Sequence, residues 1–240
     1  PYFEREGLAC TFVGHPVLES GAETADGAVF RTKHRLGEPG PVLGILPGSR
    51  HAEVARLLPH FGETVFRLVD KFPDLEIVIP AISTFVSEIK AVSREWPVRT
   101  IVTSDVEMRY DAMAACDVAV AASGSVSLEL ALAGVPMVIG YRLNPVTMML
   151  VRRMVRVKYV NLINILLGRL AIPELLQDDC RSDNLAEAAA RLLSSELERD
   201  NQRAAAREAL SMLGDGDTAP SDRAAGVILD LIESAPNRDM

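Results

Sequence analysis

The 240-residue chain carries 33 acidic and 25 basic residues, a formal net charge of -8. That balance excludes nucleic-acid binding through bulk positive charge. With 48% apolar and 24% charged residues, the composition is that of a soluble globular protein long enough for a sizeable core.

No apolar run approaches the ~20 residues a spanning helix needs, and no signal-peptide pattern is seen. Cys10, Cys116 and Cys180 are far apart and odd in number. They show neither metal-ligand spacing nor a disulfide framework, which fits a reducing cytoplasm. His15, His34, His51 and His60 lack the spacing of a metal site. The opening PYFEREGLACTFVGHP has no initiator Met. It reads as the interior of a larger protein, so groups needed for chemistry are expected upstream.

Ala9 to Val13 is expected as a short strand that ends in the turn Gly14-His15-Pro16. Residues 19–40 lack periodicity and read as a linker or surface segment. A regular alternation then begins. Pro41 to Leu46 is a short apolar run suited to a buried parallel strand. His51 to Lys71 places Val54, Leu57, Leu58, Phe61, Val65 and Leu68 on one helical face, with Pro59 expected to kink or split it. Further strands are predicted at Leu75–Pro80, Val98–Thr103, Asp117–Ala122 and Val135–Gly140. Helices are predicted at Thr84–Glu95, Val106–Ala115 and Val126–Gly134. Beyond Tyr141 the pattern turns to helices and irregular segments, with Pro173 set to open a helix. Helices are then predicted at Asn184–Leu193, Leu197–Leu213 and Ala219–Ile232. Strands alternating with helices at this spacing indicate an α/β fold, a Rossmann-like parallel sheet with helices on both faces. Ligands of such sheets bind beyond the carboxyl ends of the strands.

Two loops of small polar residues fall at those ends. In Pro47-Gly48-Ser49-Arg50, Gly48 allows close backbone approach, Ser49 is placed to cap the next helix, and Arg50 stands at a helix N-terminus. The turn fits two readings: a capped turn with a solvated Arg, or a phosphate site combining free N–H groups with a guanidinium. The second loop is Ser123-Gly124-Ser125, followed by Val126, Ser127 and Glu129. Ser123 or Ser125 is expected to cap the helix. Glu129 fits either a favourable helix-dipole position or a carboxylate that accepts hydrogen bonds from a ribose while the diphosphate meets the helix end. No Gly-Lys-Ser/Thr follows, so this is not a P-loop.

Two further segments stand out. Asn161 to Gln177 sets Asn161 and Asn164 among leucines and isoleucines, with Glu174 and Gln177 three residues apart on an expected helix; there Glu174 also reads simply as an acid of the first turn. Met148 to Val160 carries Arg152, Arg153, Arg156 and Lys158 interleaved with apolar residues such as Met149. That stretch fits a solvated helix face or contact with an anionic membrane surface.

Taken together, TFVGHPV, LPGSR-x-x-EV, ASGSVSLE, GVPMVIGYR-x-x-P-x-T and N-I-L-x-G-R-x-x-x-PE-x-LQ resemble the bacterial lipid-A-disaccharide synthases, in order and spacing, from about Phe12 to Gln177. The C-terminal helices continue the likeness more weakly. One departure is Ser125-Val126-Ser127, where the family usually has Thr-Ala-Thr; the hydroxyl spacing is kept.

The resemblance implies the second half of a GT-B glycosyltransferase. Residues 1–18 would end the first half and form the hinge, 19–40 the linker, 41–182 the nucleotide-sugar-binding domain and 183–240 the C-terminal helices. It implies an inverting transfer, without metal or cofactor, from UDP-2,3-diacylglucosamine to 2,3-diacylglucosamine 1-phosphate. Gly48, Ser49 and Arg50 would meet the substrate's anionic groups. Ser123, Gly124, Ser125 and Ser127 would line the diphosphate pocket, Glu129 would hold the ribose, and Asn164, Glu174 and Gln177 would line the sugar or uracil part of the cleft. Arg50 would stabilise charge on the leaving UDP. The catalytic base would lie in the other half, so none is assigned here. Met149, Arg152, Arg153, Arg156 and Lys158 would touch the inner membrane from the cytoplasmic side, since both substrates are acylated. Self-association would use the C-terminal helices. Two other readings fit the residues: another UDP-sugar protein of the GT-B type, acting on peptidoglycan precursors or epimerising UDP-GlcNAc, or a non-catalytic nucleotide-binding or oligomerisation module.

Overall fold

The computed structural model describes residues 2–144, 158–214 and 218–234. Six strands form one parallel sheet: Val42–Leu46 (β1), Glu76–Pro80 (β2), Thr100–Thr103 (β3), Val118–Ala122 (β4), Met137–Tyr141 (β5) and Glu174–Leu176 (β6), in the order β3-β2-β1-β4-β5-β6. The central strands β1 and β4 are buried at every position. Their continuous apolar runs, VLGIL and VAVAA, are what a sheet covered on both faces requires. Leu43 pairs with Ile77 on one side and with Val118 on the other. The chain therefore leaves β1 toward one sheet edge and returns at β4 to build toward the opposite edge. The carboxyl ends of β1 and β4 flank the topological switch point, where such sheets place ligands.

Alternate strand residues feed two cores. Leu43, Ile45, Ile77, Ile79, Val118, Val120 and Val138 pack under helices His51–Val69 (α3), Val86–Ser93 (α4) and Ser182–Ser194 (α8). Val42, Leu46, Val78, Ala119, Ala121, Met137 and Ile139 face the other side. There they meet Gly27–His34 (α2), Arg109–Ala114 (α5), Val126–Leu132 (α6), Leu162–Leu167 (α7) and Glu196–Ser211 (α9). A short helix, Tyr2–Arg5 (α1), and Pro220–Ser234 (α10) lie near the two ends of the sequence. On α10, Ile228, Leu229, Leu231 and Ile232 are exposed. No helix among the described residues is long and apolar enough to cross a membrane.

All six apolar residues expected on the stripe of α3 are buried. This explains why Pro59 does not split the helix. An interior proline costs about 3 kcal/mol, whereas each large apolar side chain buried contributes roughly 1.5–3 kcal/mol. The stripe on both sides of Pro59 outweighs the missing hydrogen bond. Arg67 fastens the same helix to α8, through Nε to Ser182 Oγ at 3.1 Å and Nη1 to Asp183 Oδ1 at 2.8 Å.

Three segments depart from expectation. Residues 9–13 form no strand and run as mostly exposed coil. The Val13 carbonyl is met by Arg223 Nε at 2.9 Å rather than by a sheet neighbour. The stretch 19–40, expected as a linker, contains α2. Asp26 Oδ1 caps it by accepting from the Ala28 and Val29 amides, and Phe30 is fully buried against the sheet. Its eight residues are too few to show periodicity. The third departure is at Pro173, which opens strand β6 and no helix. Ile139 pairs there with Glu174 and Tyr141 with Leu176. Gln177 then turns the chain with a left-handed φ of 53°, so Glu174 and Gln177 do not share a helical face.

Candidate functional site

At the carboxyl end of β1 the chain must turn sharply into α3. Gly48 makes that turn at φ +116°, and a Cβ there would lie 2.7 Å from Glu53 Oε2. Glu53 occupies the space. Its Oε2 accepts from the Ser49 amide at 3.3 Å, and its Oε1 pairs with Arg50 Nη1 at 3.1 Å. Ser49 was the expected cap. Instead Arg50 holds the N-cap position without a side-chain cap, and Glu53 reaches back to the free amide. The Arg50 side chain remains 78% exposed.

The end of β4 is built similarly. Gly124, at φ +156°, has nothing within 4 Å of where a Cβ would stand. Its backbone faces open space. Ser125 occupies the N-cap position of α6 but makes no side-chain cap. Ser127 is buried, and its Oγ donates to the Gly124 carbonyl at 2.8 Å. Ser127 therefore stabilises the turn from within and does not line the pocket, correcting the expected role. Its position as the second residue of α6 lets the hydroxyl reach back to the loop.

Glu129 lies two residues further along α6, at the close of its first turn. Its side chain is 13% exposed, and its Oε2 accepts from Arg109 Nη2 at 2.5 Å. Arg109 is the first residue of α5, so it enters from the end of β3. The four strand ends enclose a cavity of 340 Å³. Gly48, Ser49, Arg50 and Glu53 form one wall, and Ser123, Gly124, Ser125 and Glu129 the facing one, with Arg109 and the 80–83 and 103–106 loops completing it. Thus Gly48, Ser49, Arg50, Ser123, Gly124, Ser125 and Glu129 all line this one cavity. Arg109 and Glu53 were not anticipated. The available signal for Arg109 was a basic residue just past a strand end, at the same sheet edge as the two glycine turns.

Asn164, Glu174 and Gln177 lie elsewhere. Asn164 is fully buried. Its Oδ1 accepts from the Ala171 and Ile172 amides at 2.8 Å each, and its Nδ2 donates to Ile172 O at 2.7 Å and Glu174 Oε1 at 2.6 Å. Glu174 also accepts from the Val160 and Asn161 amides. Gln177 Oε1 accepts from the Leu143 amide at 3.3 Å. None of the three lines the cavity. Their polar capacity holds the loop around α7 and β6 together, which corrects the expectation for Asn164 and Glu174 as cleft residues. Met149, Arg152, Arg153 and Arg156 lie outside the described residues; Lys158 is exposed, its Nζ 5.2 Å from the Tyr159 ring centroid.

A sequence model described as lipid-A-disaccharide synthetase matches residues 1–225. The chain is 49% identical over 232 residues to the lipid-A-disaccharide synthase of Rhodospirillum centenum, covering 97% of this chain and 58% of that protein. It therefore spans about three fifths of the length of such relatives. Among solved structures, the UDP co-structure of MnaA from S. aureus aligns with a TM-score of 0.58 at 17% identity, over 95% of this chain and 57% of that one. MurG from Acinetobacter baumannii aligns with a TM-score of 0.55 at 16% identity, again over 95% and 57%. These two likenesses are of fold alone, and the fold is that of half a GT-B glycosyltransferase. Sequence similarity across almost the whole chain goes further: the chain belongs to the lipid-A-disaccharide synthase family.

Proposed function

We propose that this chain is the donor-binding half of an enzyme that transfers 2,3-diacylglucosamine from its UDP conjugate to 2,3-diacylglucosamine 1-phosphate, with inversion. The acceptor's 6-hydroxyl oxygen forms the bond to the sugar's anomeric carbon. The bond from that carbon to the diphosphate breaks, and UDP leaves with the electron pair. The hydroxyl proton goes to a base outside this chain. The cavity's contribution is binding and charge. Arg50 and the amides at the two glycine turns meet the diphosphate, where hydrogen bonds to charged oxygens are strongest. Glu129 takes the ribose hydroxyls.

The observation that carries the reading is the convergence, at the switch point of the sheet, of two glycine turns and the Glu129 carboxylate on the same cavity. Only Oε2 of Glu129 is engaged among the described residues, so Oε1 is available to a hydroxyl. Titration calorimetry with UDP tests it. Glu129→Ala and Arg50→Ala are each expected to weaken binding about tenfold or more, the loss of one charge-assisted hydrogen bond. Unchanged affinity in both variants contradicts the assignment.

The reading includes a membrane surface. Both substrates carry acyl chains, and residues 148–160 hold four basic side chains and no acidic one. Co-sedimentation with anionic liposomes should occur and should weaken as salt rises. Salt-insensitive partitioning, or none, removes the electrostatic contact.

A further inference from the structure

The cavity contains two arginines, and they are not placed alike. Arg50 is largely in solvent and pairs with the acid of its own helix, three residues on. Arg109 reaches from α5 across to α6, twenty residues later in the chain, to Glu129 Oε2 at 2.5 Å. Its position is unfavourable for α5 itself, because a cation in the first turn opposes the helix dipole. Nothing within α5 accounts for it except the Tyr110 ring, whose centroid lies 5.4 Å from the guanidinium carbon. The gain lies at Glu129. A carboxylate largely withdrawn from water is costly unless it is paired. An unpaired acid beside a diphosphate would also repel it.

We infer that Arg109 is a positioning residue for Glu129. It holds one carboxylate oxygen against the cavity wall, turns the other toward the ribose diol, and offsets a negative charge that would otherwise face the diphosphate. This rests on the nucleotide reading of the cavity given above. The structure assigns Arg109 no contact with substrate of its own; its effect passes through Glu129.

The test is calorimetry of the chain with UDP and with 2′,3′-dideoxy-UDP, in the parent protein and in Arg109→Ala, Arg109→Lys, Glu129→Gln and the double variant Arg109→Ala/Glu129→Gln. The parent should prefer UDP over the dideoxy analogue by about tenfold, one charge-assisted hydrogen bond or more. Arg109→Ala should lose that preference while the chain stays folded at the assay temperature, with its unfolding midpoint lowered because the Glu129 carboxylate loses its partner, and Arg109→Lys should restore part of both. In the Glu129→Gln background, adding Arg109→Ala should change UDP affinity by less than about twofold, because the interaction is already gone. The inference alone is overturned if Glu129→Gln abolishes the preference while Arg109→Ala keeps it. It is equally overturned if Arg109→Ala weakens UDP as much in the Glu129→Gln background as in the parent, which makes Arg109 a direct phosphate ligand. If the parent shows no preference, or Glu129→Gln retains it, the ribose assignment fails and takes this inference with it.

Discussion

Asn164 Nδ2 lies 2.6 Å from Glu174 Oε1, and the same asparagine also binds the backbone of residues 171 and 172. The pair ties the loop around α7 to the last strand of the sheet. Removing the amide leaves buried donors and an acceptor without partners, which costs about 1–3 kcal/mol. Asn164→Ala is therefore expected to lower the thermal unfolding midpoint clearly. Any loss of ligand binding should appear only as the protein begins to unfold. A variant with parental stability but no UDP binding would return Asn164 to the cleft.

At the first turn, Gly48→Ala combines two faults. Its φ of +116° disfavours a side chain, and the new Cβ would fall 2.7 Å from Glu53 Oε2. Backbone strain of this kind costs roughly 1–3 kcal/mol. Relief moves Glu53 away from the Ser49 amide and from Arg50. UDP affinity should drop by about tenfold, while far-ultraviolet dichroism stays the same. Parental affinity would show that the turn geometry is irrelevant to binding.

The thiols should separate by environment. Cys10 is exposed, and Cys116 and Cys180 are buried. Burial, with the charge of Asp117 second, pushes the Cys116 thiol far up. Burial pushes Cys180 up to about 11 from an ordinary 9.0, which lowers its thiolate fraction about a hundredfold. A thiolate-specific reagent should modify one group rapidly in the native chain and three in denaturant. Fast modification of two or three native thiols would contradict the packing of β1, β4 and α8.

His60 contributes a pH dependence of stability. Its Nε2 accepts from Arg142 Nη1 at 2.7 Å. Burial, then the Arg142 charge, lower its pKa from 6.5, with Glu63 opposing. The unfolded chain therefore binds more protons than the folded one just below pH 6.5, and stability falls as pH falls through that window. Replacing His60 with Gln should make the unfolding midpoint less sensitive to pH below about 6.5. An unchanged slope would place the dependence elsewhere.

The sheet was legible because parallel strands buried on both faces read as unbroken apolar runs, as in VLGIL and VAVAA. Helix α3 was legible from its stripe. Strand β6 was not. It is three residues long, partly exposed and preceded by Pro173, so neither hydropathy nor the proline favoured a strand. Helix α2 hid because one buried phenylalanine gives no period. At the site, glycine turns can be read locally, because a backbone conformation is a property of one or two residues. The Arg109–Glu129 pair cannot, since it exists only once β3 and β4 have placed α5 beside α6. Ser127 shows the converse error. A hydroxyl near a loop reads the same whether it faces a ligand or, as here, the turn's own carbonyl.

A crystal structure of the chain with UDP bound measures the central assignment most directly. The expected density places the diphosphate between the turns at Gly48–Arg50 and Ser123–Ser125, with the ribose hydroxyls on Glu129. UDP bound outside this cavity, or bound in it with the ribose away from Glu129, would contradict the account.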